Sequence, residues 1–337
     1  MEPVKVRAPS IRDVARLAGV SYQTVSRALN NSENIKESTK ERVLEVIEQL
    51  GYRPNQAARV LVTSRSRTIG VLTSQVAHYG PSTSLQAIEE AAREAGYLIT
   101  TMSLATSDYE SITDRLERLM SQSIEGLVVI APQVRVFDAI RELDIRVPLV
   151  TLDSTGRKDA RTLSVDQLAG ARMATRHLID LGHRDIVHLA GPQDWIEAEA
   201  RMTGFLDEMI EADLTVRAPI LGDWTVDFGY EVGRELTRFR DFTAVFAAND
   251  LMALGLIHAF RDAGLDVPRD VSVVGFDDIP EAAHYWPPLT TVRQDFAEIG
   301  RRSVAMVLGE LAGELDRRYD QISPELIVRK STAPPVR

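Results

Sequence analysis

The sequence predicts a small all-α head followed by a larger α/β body folded as two lobes. Three observations predict it. The first part of the chain carries apolar residues at helical spacing, punctuated by glycines. The rest alternates short β-rich runs with amphipathic helical stretches, the arrangement that buries a parallel sheet between helices. Charge divides the chain at the same place. Residues 1–68 hold 12 Lys/Arg and 7 Asp/Glu, a net of +5, whereas the remainder holds 27 against 42, a net of −15.

At 337 residues the chain is too long for one ordinary domain and suits two or three compact units. Hydrophobic residues at 44% and charged residues at 26% make a globular balance and exclude a disordered polymer. The net charge of −10 argues against nucleic acid for the chain as a whole. A basic head on an acidic body restores that partner for the head alone. The absence of cysteine excludes disulfides and cysteine–zinc sites and fits a reducing cytoplasm. No signal-peptide core opens the chain, and no apolar run approaches the roughly 20 residues of a membrane span. A cytoplasmic protein with no membrane partner is expected.

In the head, Ile11, Val14, Ala15 and Ala18 fall at i, i+3, i+4 and i+7, one face of a helix. Ser10 is placed to cap it, with Asp13 three residues on as the reciprocal acceptor, and Gly19 to end it. Ser21 can cap a second helix, Tyr22–Leu29. A third, Glu37–Leu50, carries Val43, Val46, Ile47 and Leu50 on one stripe and closes at Gly51. Three short helices with a glycine turn between the first two make a helix-turn-helix unit, whose second helix enters the DNA major groove.

On that second helix Val25, Ala28 and Leu29 point one way, and Tyr22, Gln23, Ser26 and Arg27 the other. Glutamine and arginine can bond base edges through two hydrogen bonds each. Thr24 and Ser32 suit phosphate, which positions without specifying. The competing reading of such a face is a solvated polar surface; its slot in a three-helix unit favours DNA.

Arg53-Pro54 stops the third helix, because the residue before proline is pushed out of helical conformation. A short helical pattern, Asn55–Thr63, follows and leads into a Ser/Arg-rich stretch. So short a helix is marginal in water and needs a partner hinge or DNA. Leu61 is apolar with little core of its own. It either wedges into a minor groove, as kinking proteins do, or packs on the body.

The segments VARLAGVSYQTVSRALNNS and KESTKERVLEVIEQLGYRPNQAARVL resemble the head of the lac repressor/galactose repressor family of bacterial transcriptional regulators. Downstream, GHRDIVHLAGP, GDWTVDFGYE, AANDLMALG, VSVVGFDD and PPLTTVRQDF are similar to the same family in order and nearly in spacing. The resemblance covers about residues 10–332. It implies a homodimer with each second helix in one half-site of a near-palindromic operator in double-stranded DNA. It implies that Tyr22, Gln23 and Arg27 read bases, with Ser21, Thr24, Ser26, Asn30 and Asn55 beside them. Ala58 and Leu61 would serve the minor groove from paired hinge helices.

For the body the resemblance implies a periplasmic-binding-protein-like fold, two lobes crossed three times by the chain. The expected divisions are residues 8–53 for the head and 54–67 for the hinge. Residues 68–332 form the sensor, with one lobe from 68–165 and 295–320 and the other from 166–294 and 321–330. The runs IGVLTS, YLITTMS, GLVVIAP, PLVTLDS, IVHLAG, AVFAAN and VSVVGFDD read as strands. Helical patterns lie at Ser82–Ala95, Tyr109–Ser121, Gln167–Leu181, Glu197–Ala212, Phe228–Arg238 and Asp250–Ala263.

Ligand is expected between the lobes, beyond the carboxyl ends of the strands. Asp153, Asn249 and Asp277 end strand-like runs, and Arg201 is read as opening a helix after one. Such side chains bridge neighbouring hydroxyls with paired hydrogen bonds, and Trp224 offers a face for the C–H side of a sugar ring. Singly, each is equally a cap or turn residue. The resemblance places effector contacts on Ser74, Asp153, Arg201, Trp224, Asn249 and Asp277, with Phe296 lining the pocket. It places dimer contacts at Leu254 and Tyr285. His78, Tyr79 and Gly80 depart from the family pattern near the cleft mouth, and the chain ends soon after ELIVRKSTAPPVR without a leucine-heptad tail, so a dimer is expected.

Phosphate-binding loops, dinucleotide turns, zinc-protease helices and nucleophile elbows are missing from the sequence. The histidines at 78, 177, 183, 188, 258 and 284 show no metal spacing; His183 and His188 are read as structural residues flanking a strand. No metal, cofactor or enzymatic activity is expected. Asp153 and Asp277 could imitate a glycosidase pair, and a two-lobed transport receptor shares the body's fold, but neither needs the head. The expected function is a repressor of carbohydrate-utilisation genes released by a small saccharide, a galactoside being favoured. A corepressor is the opposite sign of the same coupling.

Overall fold

A computed structural model describes residues 9–29, 35–52, 65–74, 77–104, 108–152, 161–314 and 320–336. Asn30, Ser32, Asn55, Ala58, Leu61 and Asp153 lie outside the described residues. The chain divides into two compact units, Met1–Ser66 and Arg67–Arg337.

The first unit holds α1 (Ile11–Ala18), α2 (Tyr22–Leu29) and α3 (Glu37–Leu50). Local chemistry fixes their ends. The Ser10 backbone N–H donates to Asp13 Oδ2 at 3.0 Å while the Asp13 N–H donates to Ser10 Oγ at 3.4 Å, a reciprocal cap. Gly19 then takes φ 65°, a left-handed turn that glycine enters without a Cβ penalty. Ser21 Oγ accepts from the Thr24 N–H at 3.2 Å and starts α2. Val14, Ala18, Val25, Ala28, Val43 and Val46 meet in one small core, with Leu29 and Ile47 packed against it.

The second unit contains two sheets. In lobe 1, β1 (Thr68–Ser74), β2 (Leu98–Leu104), β3 (Gly126–Ile130), β4 (Leu149–Leu152) and β5 (Thr162–Leu163) lie in the order β2-β1-β3-β4-β5, all parallel. Strand β3 is buried along its whole length, which is why GLVVI runs apolar without alternation: helices cover both faces of a parallel sheet. Those helices include α4 (Tyr79–Glu94), α5 (Tyr109–Met120) and α6 (Val134–Arg141).

Lobe 2 starts with α7 (Gln167–Asp180), β6 (Ile186–Ala190), α8 (Ile196–Glu211) and β7 (Ile220–Leu221). It continues through α9 (Val226–Leu236), β8 (Ala244–Ala247), α10 (Asp250–Asp262), β9 (Ser272–Asp277) and β10 (Thr290–Arg293). The chain then returns to lobe 1, where α11 (Phe296–Leu311) packs on α4 and β3. It crosses back to place β11 (Glu325–Ile327) antiparallel to β10, giving the order β11-β10-β9-β8-β6-β7.

Some elements differ from the sequence reading. Helix α4 starts at Tyr79 rather than Ser82, because Gly80-Pro81 sits in the first turn, where proline costs no hydrogen bond. Helices α6 and α11 add to the helical patterns of the sequence. Arg201 does not open a helix; α8 begins at Ile196 and carries Arg201 in its second turn. His188 lies inside β6 rather than beside it. No helix among the described residues is long and apolar enough to cross a membrane.

Candidate functional site

Two surfaces hold the candidate residues, one in each unit. On α2, Tyr22, Gln23 and Arg27 are exposed together, and Tyr22 keeps 58% of its surface in solvent. A ring left that open on a short helix gains nothing from the core, which is filled from the opposite face by Val25 and Ala28. Ser26 is half-buried beside them. Ser21 and Thr24 are joined through their hydroxyls at 2.9 Å at the start of the helix.

In the second unit a cleft between the lobes encloses about 800 Å³ of space, open solvent at its mouth included. Lobe 1 contributes the turn and first residues of α4, the carboxyl ends of β3 and β4, and Phe296 and Ile299 of α11. Lobe 2 contributes Gln167, Trp195, Glu197, Arg201, Trp224, Asn249, Asp277 and Gln294, which come from six segments of the chain. Parallel sheets in both lobes direct their carboxyl ends to this opening, the usual place for a ligand in such folds.

The polar heart of the cleft is a buried network around Arg201. Its Nε donates to Gln167 Oε1 at 2.9 Å, one terminal nitrogen donates to the Ala248 carbonyl, and the other lies 3.3 Å from Asp277 Oδ1. The guanidinium carbon sits 3.8 Å from the centroid of Phe276 and 5.6 Å from that of Trp224. Gln294 Nε2 donates to Asp277 Oδ1 at 2.7 Å, and Gln167 Nε2 donates to Gln294 Oε1 at 2.7 Å, closing the loop. Burial pushes the Asp277 carboxyl up to about 6, despite the opposing pull of Arg201 and Gln294. Burial also lowers the Arg201 guanidinium from its ordinary value, against the pull of Asp277.

Behind Asp277, the carboxyl of Asp250 is fully buried and raised well above the usual carboxylate range by burial and then by Asp277. It accepts from Thr291 Oγ1 at 2.5 Å and from the Ile279 N–H at 2.9 Å. Two cleft residues hold backbone conformations that L-residues rarely adopt: Trp224 at φ 72° and Asp277 at φ 112°. Strain of this kind persists where surrounding contacts over-determine it, and it gathers at functional sites.

Aromatic rings pack beside this network. Trp195 meets His78 edge-on at 5.1 Å and Trp224 edge-on at 5.4 Å between centroids. The Trp224 Nε1 is buried without a hydrogen-bond partner among the described residues. Burial lowers the His78 imidazole from its ordinary value, so the ring facing Trp195 favours its neutral form.

Comparison with known proteins then fixes the family. A model of bacterial regulatory proteins of the lacI family matches residues 10–55, and one of periplasmic binding protein-like domains matches residues 175–332. The lactose operon repressor of Escherichia coli (strain K12) is 33% identical over 337 residues, covering 99% of this chain and 92% of that protein. The HTH-type transcriptional repressor PurR of Haemophilus influenzae (strain PittEE) is 33% identical over 333 residues, covering 96% and 98%. Among solved structures, the lac repressor dimer bound to operator and the anti-inducer ONPF matches with TM-score 0.89 at 32% identity, covering 97% of this chain and 100% of that one. A complex of the transcriptional regulator CelR with cellobiose matches with TM-score 0.69 at 29% identity, covering 96% and 99%. The chain belongs to the lacI family.

This lacI-family chain is thus a DNA-binding transcriptional repressor. Of the cleft residues read from its sequence, Arg201, Trp224, Asn249, Asp277 and Phe296 all line the cleft. Ser74 does not: it is buried and donates to Gln133 Oε1 at 3.0 Å. Asn249 also caps α10, accepting from the Met252 N–H at 2.9 Å while its amide donates to the Trp224 carbonyl at 3.0 Å. The capping and the cleft readings of Asn249 therefore hold together. Leu254 is half-buried against the lobe 2 core. Tyr285 is 8% exposed, with its hydroxyl 3.5 Å from the Asp250 carbonyl.

Sequence reasoning missed Gln167, Gln294, Trp195 and Glu197. Trp195 alone carried a signal, a tryptophan in the polar turn GPQDW directly after a strand, where no core position is due. The glutamines carry none, because only the fold brings residues 167 and 294 together.

Proposed function

We propose that this lacI-family repressor is released from a palindromic operator by a small neutral saccharide bound between its lobes. The observation that carries the reading is the Arg201–Asp277–Gln294–Gln167 network with the Trp195–Trp224 pair beside it. A fixed fork of donors beside a carboxylate and two amides suits paired hydroxyls, and indole faces suit the C–H side of a pyranose. The one cation in this network is already engaged with Asp277, so it favours a neutral polyol over an anion. The solved complex of the similar regulator CelR with cellobiose, a disaccharide, is consistent with this class.

In this reading the protein works as a homodimer, with Tyr22, Gln23 and Arg27 on the bases of each half-site and Ser21, Thr24, Ser26, Asn30 and Asn55 around them. Leu61 wedges into the central minor groove, with Ala58 beside it. Leu254 and Tyr285 face the second copy, and Asp153 completes the effector set. Sugar and DNA favour different lobe arrangements, so each weakens the other by the same factor.

The test is an anisotropy titration of a labelled operator, selected from a randomised pool, with and without a panel of mono- and disaccharides at one salt concentration. One sugar should loosen specific binding. A sugar that tightens it would make the effector a corepressor. No response to any saccharide would overturn the sugar reading. Leu61→Ser should weaken operator binding while sparing sugar binding; unchanged operator affinity would remove the wedge.

A further inference from the structure

Residues 194–196 hold both lobes at once. Trp195 lines the cleft from lobe 2 and meets His78 of lobe 1 edge-on at 5.1 Å. Ile196, the next residue, is the first of α8, a lobe 2 helix, yet its side chain does not join the lobe 2 core. It is 4% exposed in a cluster otherwise built from lobe 1, among Leu72, Leu127, Val136, Phe137 and Ile140. Its backbone N–H donates to the carbonyl of Pro132 in lobe 1 at 2.9 Å. Helix α8 has no side-chain cap hydrogen bond, and this lobe 1 carbonyl satisfies one of its unpaired first-turn N–H groups. The Asp194 carboxylate lies 3.4 Å from Arg135 of lobe 1, an exposed pair that adds little by itself.

We propose that Trp195 reads the bound effector and that Ile196 converts this reading into a change of lobe arrangement. The proposal rests on the cleft being the effector site. Adjacent Cα atoms are held 3.8 Å apart by the peptide bond, so a displacement of Trp195 is shared by Ile196. Ile196 has two distinct situations available. Seated, it is dry and its N–H is bonded. Withdrawn, it exposes an apolar side chain, frees a helix-end donor and leaves a cavity in lobe 1. An element with two discrete packings, biased from one side by a ligand, is what couples distant sites. The neighbouring chemistry also sets specificity. Trp195 with His78 makes an aromatic corner next to the polar network, so an effector with a second ring or apolar substituent engages it and a bare monosaccharide engages it less.

The experiment uses the full-length protein, with lactose, cellobiose and galactose as probes. Calorimetry reads sugar binding, and operator anisotropy reads the sugar-induced loss of DNA affinity. Trp195→Ala should weaken binding of the best disaccharide by about tenfold or more, and galactose less. Ile196→Ala should bind that sugar within about threefold of wild type while most of the sugar-induced loss of operator affinity disappears. Ile196→Val, which keeps the seat nearly filled, should retain the response. Ile124→Ala is the matched control: it thins the same lobe 1 cluster beside Gly70, at the other end of β3 from Pro132, and its response should stay as in wild type.

Unaltered disaccharide affinity in Trp195→Ala would overturn the reading role. A full sugar response in Ile196→Ala would overturn the coupling role. Equal loss in Ile124→Ala would assign the effect to lobe 1 stability and overturn it too. Absence of binding to any of the three sugars in wild type would instead refute the saccharide cleft on which the proposal stands, a result separable from the other three.

Discussion

Arg201→Ala removes the centre of the buried network, and its cost follows from what is left behind. The substitution deletes donors to Gln167, the Ala248 carbonyl and Asp277, along with the contact on Phe276. Gln294 still donates to Asp277, so the carboxylate keeps one partner. Removing one member of a buried ion pair costs about 3–5 kcal/mol when the survivor stays charged. Asp277 need not stay charged. It already titrates at about 6 with Arg201 beside it, and without Arg201 it rises further and takes up a proton near neutrality.

The sign follows by linkage. Between about 6 and the raised value, the variant's native state holds a proton that the wild-type native state has lost. The variant's deficit therefore grows as pH rises through that window, by up to about 1.4 kcal/mol per pH unit, and shrinks below it. Urea unfolding at about pH 5.5 and about pH 8 should show a loss near 3 kcal/mol at the higher pH and a smaller one at the lower. Arg201→Ala with Asp277→Asn should recover part of it, since the amide carries no charge to strand. In operator anisotropy the variant should bind DNA without sugar and ignore sugar. A pH-independent loss with no recovery in the double variant would refute the electrostatic account, and a retained sugar response would remove Arg201 from the site.

Further outcomes follow from the same surroundings. If saccharide hydroxyls bond the ionised Asp277, affinity for lactose or cellobiose should fall as pH drops through about 6, and Asp277→Asn should flatten that profile in calorimetry. His188 is buried between Phe205 and Phe246 at 4.8 and 4.7 Å and bonds the Phe246 carbonyl at 3.0 Å. Burial lowers it to about 4, so it contributes stability that is fully present above its unfolded value of 6.5 and is lost as pH falls toward 4, about 3 kcal/mol in all. His188→Phe should remove that slope from denaturant midpoints measured across the window; an unchanged slope would place the titration elsewhere. A Cβ at Gly191 would stand 2.1 Å from the Trp224 ring, so Gly191→Ala should cost about 1–3 kcal/mol and shift the tryptophan emission. A silent substitution would mean that Trp224 is not braced there.

The head was legible because its determinants are local. Ser10 and Asp13 cap each other across three residues, Gly19 ends the helix they begin, and the apolar stripe of α3 follows one period. Each is complete within one turn or one helix. The body was legible as alternation, but the cleft only in part. Strand ends announce themselves, and so Asn249 and Asp277 could be named in advance. Residues that reach the cleft from a helix interior or a crossing segment do not, which is why Gln167 and Gln294 stayed hidden while making half of the bonds that hold Asp277 and Arg201. Ser74 illustrates the reverse: it stands at a strand end, yet Gln133 takes its hydroxyl away from the opening.

Ile196 is the hardest case, and the most instructive. By periodicity it is an ordinary apolar residue at the start of a helix, and any reading of α8 assigns it to the lobe that holds the rest of that helix. Its allegiance to lobe 1 follows only from where Pro132 and the lobe 1 cluster stand in three dimensions. A hydrophobic residue seated in the wrong lobe is cheap to encode and invisible to pattern. The contact tying an effector cleft to a conformational equilibrium is thus the one that sequence alone is least able to reveal.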